Sequence, residues 1–65
     1  MGAIDINRAA ANELEKLPGI GPKTANEIIA FRSKYGRFRK PEHLMLVRGI
    51  SDKRFRKFRR MVKTE

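Results

Sequence analysis

The sequence predicts a small all-α domain made of short helices joined by tight turns. Apolar residues recur at helical spacing in four segments, and glycine and proline mark the boundaries between them. The turn around Gly19 also has a counterpart around Gly49, 30 residues further on. A chain of 65 residues forms one domain, and without cysteine it has neither disulfides nor thiolate metal sites.

The first helix is predicted to follow a short extended lead over residues 4–6. Asn7 is its expected N-cap, and the helix should end near Lys16. Its charged residues fall mainly on one side, as in a helix with one buried face. The predicted inner stripe consists of Ala10, Leu14 and Leu17.

Residues 17–24, with the sequence LPGIGPKT, predict a tight turn between two helices. The prolines end one helix and start the next, and the glycines tolerate backbone angles closed to other residues. Ile20 is the expected anchor of this turn in the core. The start of the second helix would present unpaired amide groups and a lysine ammonium, an arrangement that suits a phosphate. These amides belong to Gly19, Ile20, Gly21, Lys23 and Thr24. A turn without a ligand uses the same residue types, so both interpretations stay open.

A second helix is predicted from residue 22 to about residue 34, with the longest apolar face of the chain. Gly36 supplies a left-handed stop, so residues 35–40 form a connection with Phe38 folded back as a plug. Tyr35 and Phe38 are interpreted as core residues that cover the helix end, and base stacking is the alternative. The cations around this connection are Arg32, Lys34, Arg37, Arg39 and Lys40.

A short third helix is predicted from Pro41 to about residue 46, with Leu44 and Val47 turned inward. His43 would face solvent and receives no functional role, because a single histidine in a first helical turn is a common surface residue. A lone histidine in a chain without cysteine also offers no metal site.

Residues 47–54, with the sequence VRGISDKR, repeat the first turn imperfectly. The repeat pairs Leu17 with Val47, Gly19 with Gly49, Ile20 with Ile50, Lys23 with Lys53 and Ala25 with Phe55. The departures are Arg48, Ser51 and Asp52, which stand in place of Pro18, Gly21 and Pro22. Ser51 is a good N-cap, but the Asp52 carboxylate would repel an anion that the first turn attracts.

The last helix, predicted from residue 52 to about residue 63, has an apolar face and a basic face. The apolar face consists of Phe55, Phe58, Met61 and Val62. The basic face consists of Lys53, Arg54, Arg56, Lys57, Arg59, Arg60 and Lys63. Like charges on one helix lower its stability unless a polyanion neutralises them, so this face is predicted to meet nucleic acid. A merely solvated face is the alternative.

The net charge of +9 comes entirely from the second half of the chain. Residues 1–31 carry a net −1, and residues 32–65 carry a net +10. Such a basic chain favours a polyanionic partner. The last helix has too few bulky apolar residues to insert into a membrane, and no apolar run is long enough to span one.

The two turns and their flanks resemble a known family. The segments LPGIGPKTA and VRGISDKRF are similar to the two hairpins of the tandem helix-hairpin-helix domain, (HhH)2. The nearest subgroup is the ComEA-type domain of bacterial competence DNA receptors, because the INRA, IIAFR, GRF and PEHL segments match it as well. The resemblance covers residues 4–62, with a first hairpin over about residues 8–34 and a second over about residues 41–63.

The resemblance implies a compact all-α fold of four or five short helices, in which two hairpins related by pseudo-twofold symmetry grip the two strands of a DNA duplex. Members of this family contact sugar and phosphate across the minor groove without reading sequence. Transferred residue by residue, one strand would be held by Gly19, Ile20, Gly21, Lys23 and Thr24, and the other by Gly49, Ile50, Ser51, Lys53 and Arg54. The basic face adds Arg56, Lys57 and Arg60. Hairpins of this family can also hold a monovalent cation on loop carbonyls, here near Leu17 and Ile20; no other cofactor, metal or catalytic residue is expected.

The predicted function is non-sequence-specific binding of double-stranded DNA by a monomer, with a role in DNA uptake implied by the resemblance. A protein-interaction or scaffold module with the same helical fold is the alternative. An enzyme is not expected, because Lys23 or Lys53 as a Schiff-base nucleophile would require a desolvating pocket. The resemblance implies a location outside the cytoplasmic membrane on a tethered chain, and a different role would leave a cytoplasmic location open.

Overall fold

The fold is known from a computed structural model that describes residues 3–64. Helices dominate it, and the two ends of the described chain meet in a small parallel sheet. The elements are, in order, β1 (Ile4–Asp5), α1 (Ala11–Leu14), α2 (Pro22–Tyr35), a first 3₁₀ helix (Pro41–Leu46), α3 (Asp52–Phe58), a second 3₁₀ helix (Arg59–Met61) and β2 (Val62–Lys63).

One hydrophobic core joins these elements. Phe38 and Phe58 are the largest side chains that are fully buried, and no polar or charged residue of the described chain is buried. The core residues are Ile6, Ala9, Leu14, Leu17, Ile20, Ala25, Ile28, Phe38, Leu44, Val47, Ile50, Phe55, Phe58 and Val62.

The sequence repeat reappears in the packing and in the backbone hydrogen bonds. Five pairs of residues with the same spacing of 30 are buried, namely Leu14 and Leu44, Leu17 and Val47, Ile20 and Ile50, Ala25 and Phe55, and Ile28 and Phe58. The amide of Ile20 donates to the carbonyl of Leu17 at 3.1 Å, and the amide of Ile50 donates to that of Val47 at the same distance. Each half of the chain therefore forms the same turn and buries the same positions.

The bounds of the second helix, α2, agree with the prediction to within one residue. Pro22 occupies its first turn, and Gly36 follows its last residue with a φ of +91°, a backbone angle that suits glycine. Phe38 is 1% exposed, which confirms its role as a plug. Local chemistry determines both ends of this helix, so the sequence alone was sufficient to place them.

The first helix is much shorter than predicted, and Asn7 is not its N-cap. Helix α1 begins after Ala10, whose amide donates to the Glu13 carboxylate at 3.1 Å. The Asn7 side chain instead pairs with the backbone of Phe38, accepting from its amide at 2.6 Å and donating to its carbonyl at 2.9 Å. A side-chain amide matches the donor and acceptor of a backbone unit, so this pairing outcompetes a cap. Ala9, not Ala10, enters the core.

The last helix is also shorter than predicted, and the all-α expectation misses a sheet. Helix α3 ends at Phe58, and Val62–Lys63 pairs in parallel with Ile4–Asp5, with Ile4 opposite Val62. The amide of Ile6 donates to the carbonyl of Lys63 at 3.1 Å. An extended chain buries the β-branched Val62 against the first strand and leaves Met61 exposed, whereas the prediction placed both on a helical face.

One expectation at the C-terminus of α2 also needs correction. Tyr35 is 65% exposed and not part of the core. Phe31, one turn earlier, takes the place next to the plug, with its ring stacked on that of Phe38 at 5.2 Å between centroids. The third helix occupies Pro41–Leu46 as predicted and is a 3₁₀ helix, and His43 within it is half-buried and therefore only partly exposed to solvent.

Candidate nucleic-acid interface

The first hairpin presents an open helix N-terminus. Gly19 has a φ of +80°, which turns the chain sharply, and Gly21 is extended with a φ of −97°. A Cβ atom added to Gly21 would meet no other atom within 4 Å. A side chain at position 21 would therefore meet open space at its first carbon atom.

The amide groups at this N-terminus divide into two sets. The Ile20 amide is not available, because it donates to the Leu17 carbonyl, and the prediction that it is unpaired is wrong. No side chain caps α2, and residues 3–64 provide no acceptor for the other amides. Those amides belong to Gly19, Gly21, Lys23 and Thr24. These amides can donate hydrogen bonds to an anion, which the positive end of the 14-residue helix also attracts.

Ile20 and Ile50 anchor the two turns in the hydrophobic core. Each is 4% exposed, so each side chain fixes its turn to the core as expected. The carbonyl of Leu17 accepts the Ile20 amide and retains a second lone pair, which is compatible with the monovalent cation expected there. That cation stays a prediction.

The second hairpin differs at the start of its helix. Gly49 turns the chain with a φ of +95°, as Gly19 does. The hydroxyl of Ser51 accepts from the Arg54 amide at 3.1 Å, so α3 has a cap that α2 lacks. The exposed Asp52 carboxylate forms an ion pair with Arg56 at 3.1 Å. An anion at this hairpin would therefore find fewer free amides than at the first hairpin, and the Asp52 carboxylate would repel it.

The two hairpins contact each other reciprocally. Nη1 of Arg54 donates to the Gly19 carbonyl at 3.0 Å. A Cβ atom on Gly49 would lie 3.4 Å from the hydroxyl of Thr24. Thr24 and Arg54 occupy equivalent positions of the repeat. The glycine of each turn therefore lies close to the first turn of the helix that follows the other turn. The structure thus brings together residues that were predicted to contact opposite DNA strands. The repeat, in which Thr24 is equivalent to Arg54, is the sequence signal that could have indicated this proximity.

The basic residues of α3 and its extension form a second group. Arg56, Lys57, Arg59 and Arg60 line a shallow depression together with Met61. Arg59 pairs with Glu42 at 3.3 Å, and Arg56 pairs with Asp52. Within residues 3–64, Lys57 and Arg60 form no ion pair and Lys53 is exposed, so these three predicted DNA contacts retain free charges.

Lys23 and Lys53 are both exposed, without the desolvating pocket that a Schiff-base lysine needs. Across residues 3–64, no three His, Cys, Asp or Glu side chains group in a way that could hold a metal ion. No helix in this part of the chain combines the length and apolar character needed to cross a membrane.

Comparison with known proteins gives a match over nearly the whole chain. A family model described as the helix-hairpin-helix motif matches residues 2–63. ComE operon protein 1 of Bacillus subtilis (strain 168) is 41% identical over 56 residues, which cover 86% of this chain and 27% of that protein. An uncharacterized protein of Haemophilus influenzae is 46% identical over 48 residues, which cover 72% of this chain and 43% of that protein.

A more distant similarity extends to animal proteins. Endonuclease/exonuclease/phosphatase family domain-containing protein 1 of Homo sapiens is 40% identical over 47 residues, which cover 72% of this chain but only 8% of that protein. The chain thus spans less than half the length of each of these three relatives.

Proposed function

Because the chain belongs to the helix-hairpin-helix family, we propose that it binds double-stranded DNA without sequence specificity. Backbone amides of the hairpins and basic side chains would contact phosphates, which positions the protein on DNA without reading its bases. The observation that carries the proposal is the uncapped N-terminus of α2, where four amides have no acceptor within residues 3–64, position 21 is open and Lys23 is exposed.

In this proposal the two hairpins hold the two strands, and pseudo-twofold symmetry relates them. The reciprocal contacts of Gly19 with Arg54 and of Gly49 with Thr24 support it, because a twofold axis exchanges equivalent residues in this way. The first hairpin makes the closer phosphate contact. The second, capped by Ser51, relies more on the long-range attraction of the basic residues after it.

Double-stranded DNA fits this arrangement better than a single strand. Two adjacent hairpins can contact the two sugar-phosphate backbones of a duplex. Proteins that bind single strands instead use aromatic side chains on which successive bases stack. No aromatic residue lies in either turn. Similarity to the competence DNA receptor family and to ComE operon protein 1 supports a role in DNA uptake as part of this proposal.

A titration of labelled duplexes with unrelated sequences tests the proposal. We expect binding in roughly the micromolar range at about 50 mM salt, and a loss of about 100-fold at about 200 mM if roughly four phosphates are contacted. The double variant Gly21→Leu, Lys23→Glu should abolish binding, because it fills the anion site and reverses its charge. It should still fold, since position 21 is open and its backbone angles suit any residue.

The matched control is Lys40→Glu, which makes the same change of charge beyond the opposite end of α2. It should retain most of the affinity, and circular dichroism must show native helix content for all variants. If the parent fails to bind any duplex at about 50 mM salt, or if the control loses as much affinity as the hairpin variant, the proposed phosphate site is wrong.

A further inference from the structure

A groove lies between α2 and the first 3₁₀ helix, and it reaches the start of the second turn at Val47 and Arg48. It consists of two adjoining depressions that share Phe31, Tyr35 and Leu46. One depression continues over residues 36–39 and His43, and the other over Lys34, Val47 and Arg48 among others. Its far end, at the C-terminus of α2, is about 20 Å from the amides at the N-terminus of that helix.

The centre of the groove is apolar although it faces solvent. Tyr35 and Leu46 are 65% and 67% exposed, the highest values among the large hydrophobic residues of the described chain. Neither belongs to the buried core, whereas Phe38, which lines the same depression, is 1% exposed. Neighbouring exposed apolar side chains in a recess, with polar residues around them, are typical of a protein-docking surface.

The floor of the groove is rigid. The Phe31 ring contacts both Tyr35, at 4.7 Å between centroids, and Phe38, at 5.2 Å. The backbone of Phe38 in turn forms two hydrogen bonds with the Asn7 side chain, one donated by Asn7 and one accepted by it. A partner would therefore meet a preformed surface, which lowers the entropic cost of binding.

The rim of the groove is positively charged and largely unpaired. It carries Lys34, Arg37, Arg39 and Arg48, against the single acid Glu27. Within residues 3–64 none of these four cations forms an ion pair, and Lys34 approaches the Tyr35 ring at 5.3 Å instead. Other arginines of the chain do have acidic partners, namely Arg8, Arg56 and Arg59. The rim is thus complementary to an acidic ligand.

Two occupants fit these features poorly. A second copy of this chain would bring together two molecules of net charge +9, which repel each other. A single nucleic-acid strand would need several accessible rings, but Phe38 is buried, Phe31 is half-buried and Leu46 offers no ring for stacking.

We propose that this groove docks a short segment of a partner protein in which one or two large apolar residues are flanked by Asp or Glu. The apolar residues lie against Tyr35 and Leu46, and the carboxylates meet the cationic rim. None of the residues that line the groove is a proposed phosphate contact, so docking there is independent of the proposed DNA binding.

The test uses a library of random 12-residue peptides displayed on phage. The library is selected on the folded domain and depleted on the double variant Tyr35→Ser, Leu46→Ser, whose changes are both at exposed positions. Enriched peptides should combine a large apolar residue with neighbouring Asp or Glu. A synthetic consensus peptide should lose about tenfold or more in affinity with Leu46→Ser, because burial of one leucine side chain is lost.

The matched control is Met61→Ser, an exposed apolar residue outside the groove, which should leave peptide affinity unchanged. The Leu46→Ser variant should also retain the duplex affinity of the parent. No enrichment over the double variant, a consensus without acidic residues, or equal losses from Leu46→Ser and Met61→Ser would each overturn the proposal. So would a thymidine 12-mer that perturbs the NMR signals of Tyr35 and Leu46 while the selected peptides do not.

Discussion

Two side chains, Asn7 and Arg54, join segments that are far apart in sequence. Asn7 makes two hydrogen bonds to Phe38, 31 residues away, and Arg54 makes one to Gly19, 35 residues away. The sequence pattern predicts a local role for Asn7, as a helix cap, and the family resemblance implies a phosphate contact for Arg54. Pattern-based reasoning assigns a polar residue to its nearest backbone partner, and a distant partner leaves no periodic signal.

The contact between Arg54 and Gly19 leads to a prediction about how Arg54 supports DNA binding. We expect Arg54→Gln to lower duplex affinity about fivefold, because the loss of one hydrogen bond of about 1 kcal/mol frees the two hairpins from each other. The slope of log affinity against log salt should stay the same, since a positioning residue removes no phosphate contact.

Lys53→Gln is the comparison for this prediction, since Lys53 is an exposed cation at the start of the same helix. Its loss should reduce the slope by about 0.9, the value for one phosphate contact. A reduction of the same size in Arg54→Gln would show that Arg54 binds phosphate directly and does not act through Gly19.

At the scale of elements, the sequence predicted α2 and the two turns well but not the first and last helices. Pro22 and Gly36 fix the ends of α2 by their own backbone preferences. The segments at either end of the domain depend on each other instead, because β1 and β2 exist only as a pair. Two-residue strands carry no alternation to detect, so their partner could be found only in the folded structure.

The difference between the two helix starts predicts the effect of a substitution in α3. Asp52→Asn should raise duplex affinity about two- to fivefold, because a carboxylate at the second hairpin repels phosphate by about 0.3–1 kcal/mol. The same change removes a favourable charge from the first turn of α3, and should lower the free energy of unfolding by a similar amount. Fluorescence titration and urea denaturation measure the two effects.

Glu42→Gln provides the control, since Glu42 also pairs with an arginine but lies at the start of the first 3₁₀ helix. It makes the same change of net charge, and should raise affinity less than Asp52→Asn. Equal gains from the two variants would mean that only the total charge matters and that the second hairpin has no contact with phosphate.

At the scale of the whole molecule, the uneven charge leads to a prediction about long-range attraction. Arg56→Glu with Arg60→Glu should weaken binding to every duplex alike and reduce the salt slope by about 2, since two cations near the phosphates are lost. The matched control, Arg37→Glu with Arg39→Glu, changes the net charge equally but on the rim of the groove. Its effect should be clearly smaller, and unchanged affinity in the first variant would contradict a role of α3 in DNA binding.

The parallel pairing of the two end strands determines how the domain would respond to mechanical tension. The chain enters along Ile4–Asp5 and leaves along Val62–Lys63 in the same direction. A pull on the two ends in opposite directions therefore slides one strand along the other and loads their hydrogen bonds together in shear, whereas opening from one end would break them in turn. The short sheet thus resists extension of the domain. An applied force would have to separate β1 from β2 before it could deform the two turns.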